Sequence, residues 1–280
     1  MRAADDAYLE VDGARLRYRD EGRGPAVLLA HGWTLDLDMW EAQASALSRD
    51  FRVVRVDRRG FGLSSGVPSL AEDFADLSAL YHHLSLDSVA MVGMSQGARS
   101  VVHWAGTFPD RVSCLVLDAP PDLVAQAERA SPADIPYAHY AKLARAKGLA
   151  AFRREWSQHP MIRLRCADPL AHTLLERMLA RYPGRDLTES LPYTNQGFPQ
   201  PAIESVSCPV LIINGEFDLD SRKDHAATLV SRLRRAEYVR IPAAGHLCNL
   251  DNPGAYNQAL RSFLVRHTIS HTKHRGSRNE

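Results

Sequence analysis

Cysteine is scarce in this chain. The four present (Cys114, Cys166, Cys208 and Cys248) lie far apart with no CxxC pair, which argues against a structural zinc site and against a disulfide framework. Long apolar runs are missing too: none approaches the roughly 20 residues that a membrane-spanning helix needs. Charge of one sign is not in excess, since 34 Lys+Arg stand against 33 Asp+Glu, and a net of +1 leaves no basic footprint for nucleic acid. The opening Met1-Arg2-Ala3-Ala4-Asp5-Asp6 is acidic and has none of the apolar stretch of a secretory signal, so the expected compartment is the cytoplasm. There is no internal repeat. What is there, 280 residues with 45% hydrophobic and 24% charged side chains, suffices for a large buried core and excludes disordered and fibrous classes.

Along the chain, residues 8–21 read as two short strands joined at Asp12-Gly13, a dipeptide that favours a tight hairpin turn. Ala26-Val27-Leu28-Leu29-Ala30, Val89-Ala90-Met91-Val92, Cys114-Leu115-Val116-Leu117 and Val210-Leu211-Ile212-Ile213 are continuous apolar runs of the kind covered on both faces. Helical spacing appears over 38–47, 69–84 and 96–107, with Ser69 placed to cap the second of these. Further helices are expected over 224–233 and 253–265, with a strand near 238–241 between them. Strands alternating with helices predict an α/β fold, a mostly parallel sheet with helices on both faces. Residues 1–119 and 206–268 are assigned to this core. The rhythm breaks between them, and 120–205 is expected to be a helical insertion that caps the site. Residues 269–280 are expected to be a frayed tail.

Gly93-Met94-Ser95-Gln96-Gly97 is the strongest chemical signal. It falls between a buried strand and a helix, where a serine must adopt a strained backbone and the residues two away must be small. The corner lifts the hydroxyl above the sheet edge and leaves the Gln96 N–H at a helix start, facing where an oxyanion would form. A serine hydroxyl needs a base to become nucleophilic. Of the 12 histidines, His246 lies in a loop after the last expected strand, while His82 and His83 end a helix and His267, His271 and His274 belong to the tail. The base in turn needs an acid to fix its tautomer. Asp218 follows the strand at 210–213 and is the favoured candidate, with Glu216, Asp220 and Asp118 as competitors. A second oxyanion donor is expected at the Trp33 N–H in His31-Gly32-Trp33-Thr34, after the strand at 26–30. His31 is read as a structural hydrogen-bonding residue of that loop, and Asp57-Arg58-Arg59-Gly60-Phe61-Gly62-Leu63-Ser64 as a structural loop without phosphate-binding spacing. Trp33, Met94, Tyr140, Phe152, Trp156, Tyr193 and Phe198 are candidates for the lining of a substrate pocket.

These motifs, with the chain order Ser, Asp, His, resemble the α/β-hydrolase superfamily over most of residues 8–268. Within it, His31-Gly32-Trp33-Thr34-Leu35-Asp36-Leu37-Asp38-Met39-Trp40-Glu41 and Asp57-Arg58-Arg59-Gly60-Phe61-Gly62 resemble bacterial aryl esterases of the cofactor-free haloperoxidase (perhydrolase) group. That group usually carries Met and a run of glycines after the serine, where this chain has Gln96-Gly97-Ala98-Arg99. The resemblance implies a serine esterase that needs no metal and no cofactor, sometimes with a side activity making peracids. The expected activity is hydrolysis of a small-molecule ester or lactone through an acyl-enzyme. Carbon–carbon hydrolysis of diketones by the same groups, and a binding protein without turnover on the same fold, are the alternatives. No nucleic-acid or membrane partner is expected, and homo-oligomerisation is left open.

Overall fold

The Asp12-Gly13 turn joins β1 (Ala7–Val11) to β2 (Ala14–Gly22), and these two form the antiparallel margin of the sheet. The parallel part consists of β3 (Ala26–Ala30), β4 (Arg52–Val56), β5 (Val89–Met94), β6 (Val112–Asp118), β7 (Val210–Gly215) and β8 (Ala236–Ile241). They assemble in the order β1-β2-β4-β3-β5-β6-β7-β8 in a computed structural model that describes residues 5–124, 135–189 and 203–275. Three helices precede the insertion, α1 (Glu41–Leu47), α2 (Leu70–His83) and α3 (Gln96–Thr107). Among the described residues the insertion holds α4 (Tyr137–Lys147), α5 (Leu149–Trp156), α6 (Pro169–Arg181) and α7 (Arg185–Thr188). After it come α8 (Asp220–Arg232), α9 (Cys248–Asp251) and α10 (Pro253–Arg275).

Strand side chains alternate between two cores, as the pleat requires. Val27, Leu29, Val53, Ala90, Val92, Val116, Leu211 and Ile213 pack with Ala44 and Leu47 of α1 and with Tyr256, Leu260 and Phe263 of α10. Their neighbours Leu28, Val54, Met91, Leu115 and Ile212 pack on the other face with Leu77 and Leu80 of α2, Val101 and Trp104 of α3, and Leu229 of α8. That two-sided cover is why these strands read as unbroken apolar runs. The start of α2 is where the sequence places it: Ser69 is extended (φ −151°) and its Oγ accepts from Glu72 N–H at 3.3 Å.

The end of the chain differs from expectation. Helix α10 continues to Arg275, so residues 269–275 are helical where a frayed tail was expected. The apolar periodicity fades after Val265, yet no proline or glycine interrupts the chain between Gly254 and Gly276, and nothing in the backbone stops the helix.

The insertion is fastened to the loop that follows β3. Trp33 Nε1 donates to Asp186 Oδ2 at 2.8 Å, and Trp156 Nε1 donates to Thr34 Oγ1 at 2.9 Å. Arg181 of α6 pairs with Asp36 (2.7 Å) and Asp38 (2.6 Å) on the same loop. Asp186 is the most committed of these anchors. Burial pushes its carboxyl above the usual carboxylate range, and hydrogen bonds from Tyr182 and Trp33 pull it back only in part. Asp186→Ala would remove the acceptor of the Trp33 indole N–H and the Asp186 bond of the Tyr182 hydroxyl. The expected cost is about 2–4 kcal/mol of stability, read as a lower urea midpoint with an unchanged m-value.

Candidate active site

Strand order reverses between β3 and β5: the connection after β3 leads to β4 on one side, and the one after β5 leads to β6 on the other. Loops leaving the carboxyl ends of such a pair diverge and open a crevice. Ser95 stands at this point, on the corner between β5 and α3, with φ 48° and ψ −113°. A non-glycine residue rarely adopts a positive φ, and the surrounding structure must hold it there. Two contacts do so. Ser95 N–H donates to Asp118 O at 2.8 Å, and α3 lies directly on the end of β3. A Cβ on Gly97 would stand 2.6 Å from Ala30 O, and one on Gly93 would stand 2.7 Å from the Ala98 Cα, so both positions admit only glycine.

The loops after β7 and β8 reach the same carboxyl edge. There His246 Nδ1 meets Asp218 Oδ1 at 2.9 Å, and both side chains are buried. Asp218 accepts two further bonds, from Asn214 Nδ2 to Oδ2 (2.9 Å) and from Leu219 N–H to Oδ1 (2.8 Å). Burial drives its carboxyl upward, but the His246 charge and these donors outweigh it and hold Asp218 below the usual carboxylate range. An ionised Asp218 can only accept, so His246 donates from Nδ1, and the lone pair of the neutral ring then lies on Nε2. Nε2 has no hydrogen-bond partner among the described residues. The competing acids are engaged elsewhere. Glu216 accepts from Ala243 N–H at 2.9 Å and is exposed, Asp220 pairs with Lys223 at 2.8 Å, and Asp118 lies beneath the site. Asn214 was not singled out from the sequence, although a polar residue closing the apolar run at 210–213 is a visible signal.

Among the described residues neither the Trp33 N–H nor the Gln96 N–H has an acceptor, and the latter is one of the unpaired first-turn donors of α3. His31 supports this loop from inside, as expected. Its Nε2 accepts from Arg58 N–H (2.9 Å), which fixes the proton on Nδ1, and Nδ1 donates to Gly32 O (2.7 Å). Burial, with the Arg58 charge beside it, pushes His31 down to about 3, so it is neutral and structural. Asp57 holds the loop from the other end, accepting from Leu37 N–H (2.7 Å) and Leu63 N–H (2.8 Å).

Comparison with known proteins agrees with this architecture. Residues 25–253 match the family described as alpha/beta hydrolase fold. The chain is an α/β-hydrolase. It is 30% identical over 254 residues to the carboxylesterase YbfK of Bacillus subtilis, covering 86% of this chain and 80% of that one. A non-heme haloperoxidase of Rhodococcus erythropolis is 37% identical over 123 residues, covering 42% and 45%. The structure of a thermophilic esterase from Thermogutta terrifontis superimposes with a TM-score of 0.79 at 28% identity, covering 95% of this chain and 100% of that one.

Several expected pocket residues of the hydrolase are brought together, and all are buried. Trp33 packs edge-on against Trp156 (ring centroids 4.9 Å) and Phe152 (5.8 Å), with Tyr140 at 6.4 Å. Met94 is buried against Gly32, where an added Cβ would stand 2.5 Å from its Sδ. Tyr193 and Phe198 lie outside the described residues.

Beneath the site, the hydrolase buries Asp118 completely. Cys248 Sγ donates to its Oδ1 (3.3 Å) and Tyr256 OH to its Oδ2 (3.1 Å). Burial, aided by the nearby Asp218 charge and opposed by those two donors, pushes Asp118 up to about 7. The folded protein therefore keeps a proton that the unfolded chain loses near 3.8. This group's contribution to stability is largest below that value and declines as pH rises to about 7. Asp118→Asn, which mimics the protonated acid, is expected to raise Tm by several degrees at pH 8 and by less at pH 5. Equal shifts at the two values would contradict the buried proton.

Proposed function

We propose that this α/β-hydrolase cleaves the ester or lactone bond of a small molecule through an acyl-enzyme on Ser95. Ser95 Oγ attacks the scissile carbonyl as His246 Nε2 takes its proton, and the Trp33 and Gln96 N–H groups receive the oxyanion. His246 then returns the proton to the leaving oxygen. Water, deprotonated by the same Nε2, releases the acid and restores the serine. Asp218 keeps the imidazole in the required tautomer and stabilises the imidazolium. The observation that carries this reading is the 2.9 Å His246–Asp218 bond, formed on the same sheet edge as a serine held at φ 48°. Trp33, Met94, Tyr140, Phe152 and Trp156 would form the wall of the acyl or alcohol site.

With p-nitrophenyl butyrate in large excess, p-nitrophenol release is expected to continue linearly through many turnovers. A single equivalent released and then nothing would instead mark a binding protein that is acylated and stalls. Turnover of a ring-cleavage dienoate with no ester activity would mark a carbon–carbon hydrolase.

A further inference from the structure

Arg58, read from the sequence as part of a structural loop, reaches the residue next to the serine. Its guanidinium is buried and donates to Asp73, to Gln96 and, from Nη1 at 3.4 Å, to His31 O. Nε and Nη2 bond to Asp73 Oδ2 on α2 (2.8 and 2.5 Å), an oxygen that Ser100 Oγ of α3 also reaches at 3.1 Å. Nη1 donates to Gln96 Oε1 at 2.8 Å. An arginine side chain has no acceptor, so the oxygen of the Gln96 carboxamide must face it and the NH2 group must face away. Nε2 has no acceptor among the described residues, and the Gln96 side chain is only half-buried. Gln96 therefore offers two donors beside Ser95: a backbone N–H and an oriented, unspent side-chain NH2. A cation hydrogen-bonded to the amide oxygen polarises the group and strengthens the opposite N–H as a donor. Asp73 balances the Arg58 charge, so a neutral oxygen is a sufficient partner for Nε2.

We infer that Arg58 is a positioning residue that presents Gln96 Nε2 to the acyl group, and that the enzyme selects esters or lactones whose acyl part carries a hydrogen-bond-accepting oxygen close to the scissile carbonyl. The inference rests on the proposed acyl transfer at Ser95. An all-alkyl acyl chain would cover Nε2 without satisfying it, and that unpaired donor is the source of discrimination.

The test uses two p-nitrophenyl esters of nearly equal shape, the pentanoate and the 3-methoxypropanoate, which differ by a CH2 exchanged for an ether oxygen. Each kcat/KM is divided by the rate of hydroxide-catalysed hydrolysis of the same ester. The wild type is expected to favour the ether by about five- to tenfold. Gln96→Met, which keeps the backbone N–H and the Arg58–Asp73 pair, is expected to bring the ratio to one or below. Arg58→Lys keeps a cation for Asp73 but loses the forked reach to Gln96, and is expected to lower the ratio toward that of Gln96→Met. The double variant is then expected to discriminate no less than Gln96→Met alone. A wild-type ratio near one, or a ratio unchanged in Gln96→Met, overturns the inference. So does an Arg58→Lys enzyme that slows both esters alike, because that is the signature of a purely structural arginine. Ser95→Ala separates the two levels: if it destroys turnover of both esters while the wild type fails to discriminate, only this inference falls. If it leaves both intact, the proposed function falls as well.

Discussion

Ser95→Ala is expected to lower p-nitrophenyl butyrate turnover by about 10⁶-fold while leaving the thermal unfolding of the protein unchanged or slightly improved. The two halves of that expectation have separate causes. Ser95 Oγ makes no hydrogen bond among the described residues, so the fold loses no partner when it is removed. The bond that sets the corner, from the residue 95 N–H to Asp118 O at 2.8 Å, is a backbone bond and survives the substitution. Alanine keeps the same Cβ and meets no new steric demand at φ 48°. Chemistry, on the proposed mechanism, loses its nucleophile. What remains is the placement of the ester by the crevice and the two backbone donors, which are worth far less than the covalent route. Initial rates and a melting curve on the same preparation check both halves. Near-wild-type rates in Ser95→Ala would remove the nucleophile assignment.

The sheet was legible because burial on both faces writes itself into the strands, as in Val27-Leu28-Leu29, where successive residues enter opposite cores. The corner at Ser95 was legible because its steric demand falls on Gly93 and Gly97, whose absent Cβ atoms are visible as letters. The pairing of His246 with Asp218 was only partly legible. Glu216 and Asp218 share one loop and Asp220 opens α8, and the choice depends on how the loops after β7 and β8 cross, with Gly215 packed under Ala244 and Gly245. Other pairings between distant segments were not legible. The Arg58–Gln96 bond joins residues 38 apart and the Trp33–Asp186 bond residues 153 apart, and in each case one partner looks like an ordinary loop or surface residue. Short-range pattern carries no information on such contacts, because they are decided by which loops the completed sheet brings to one edge.

Asp218→Asn is expected to lower kcat by about 10³–10⁴-fold with KM little changed, since the carboxylate acts on the transition state more than on bound ester. The local hydrogen bonds explain why the fold should tolerate it. Oδ1 accepts from both His246 Nδ1 (2.9 Å) and Leu219 N–H (2.8 Å), so an asparagine must keep its oxygen there and turn its NH2 toward Asn214. Asn214 now donates to Oδ2 at 2.9 Å, and its own buried Oδ1 has no partner among the described residues. Turning that amide over presents the idle oxygen to the new NH2 group. The His246 tautomer and position can then persist, and the lost activity measures the missing negative charge behind the imidazolium. Glu216→Gln and Asp220→Asn, made in parallel, are expected to stay within about twofold of wild type, because one side chain caps the Ala243 N–H and the other pairs with Lys223 on the surface. A large loss in either of these with a mild effect at Asp218 would move the acid to a different residue. It would also leave the 2.9 Å contact at His246 as a structural bond only.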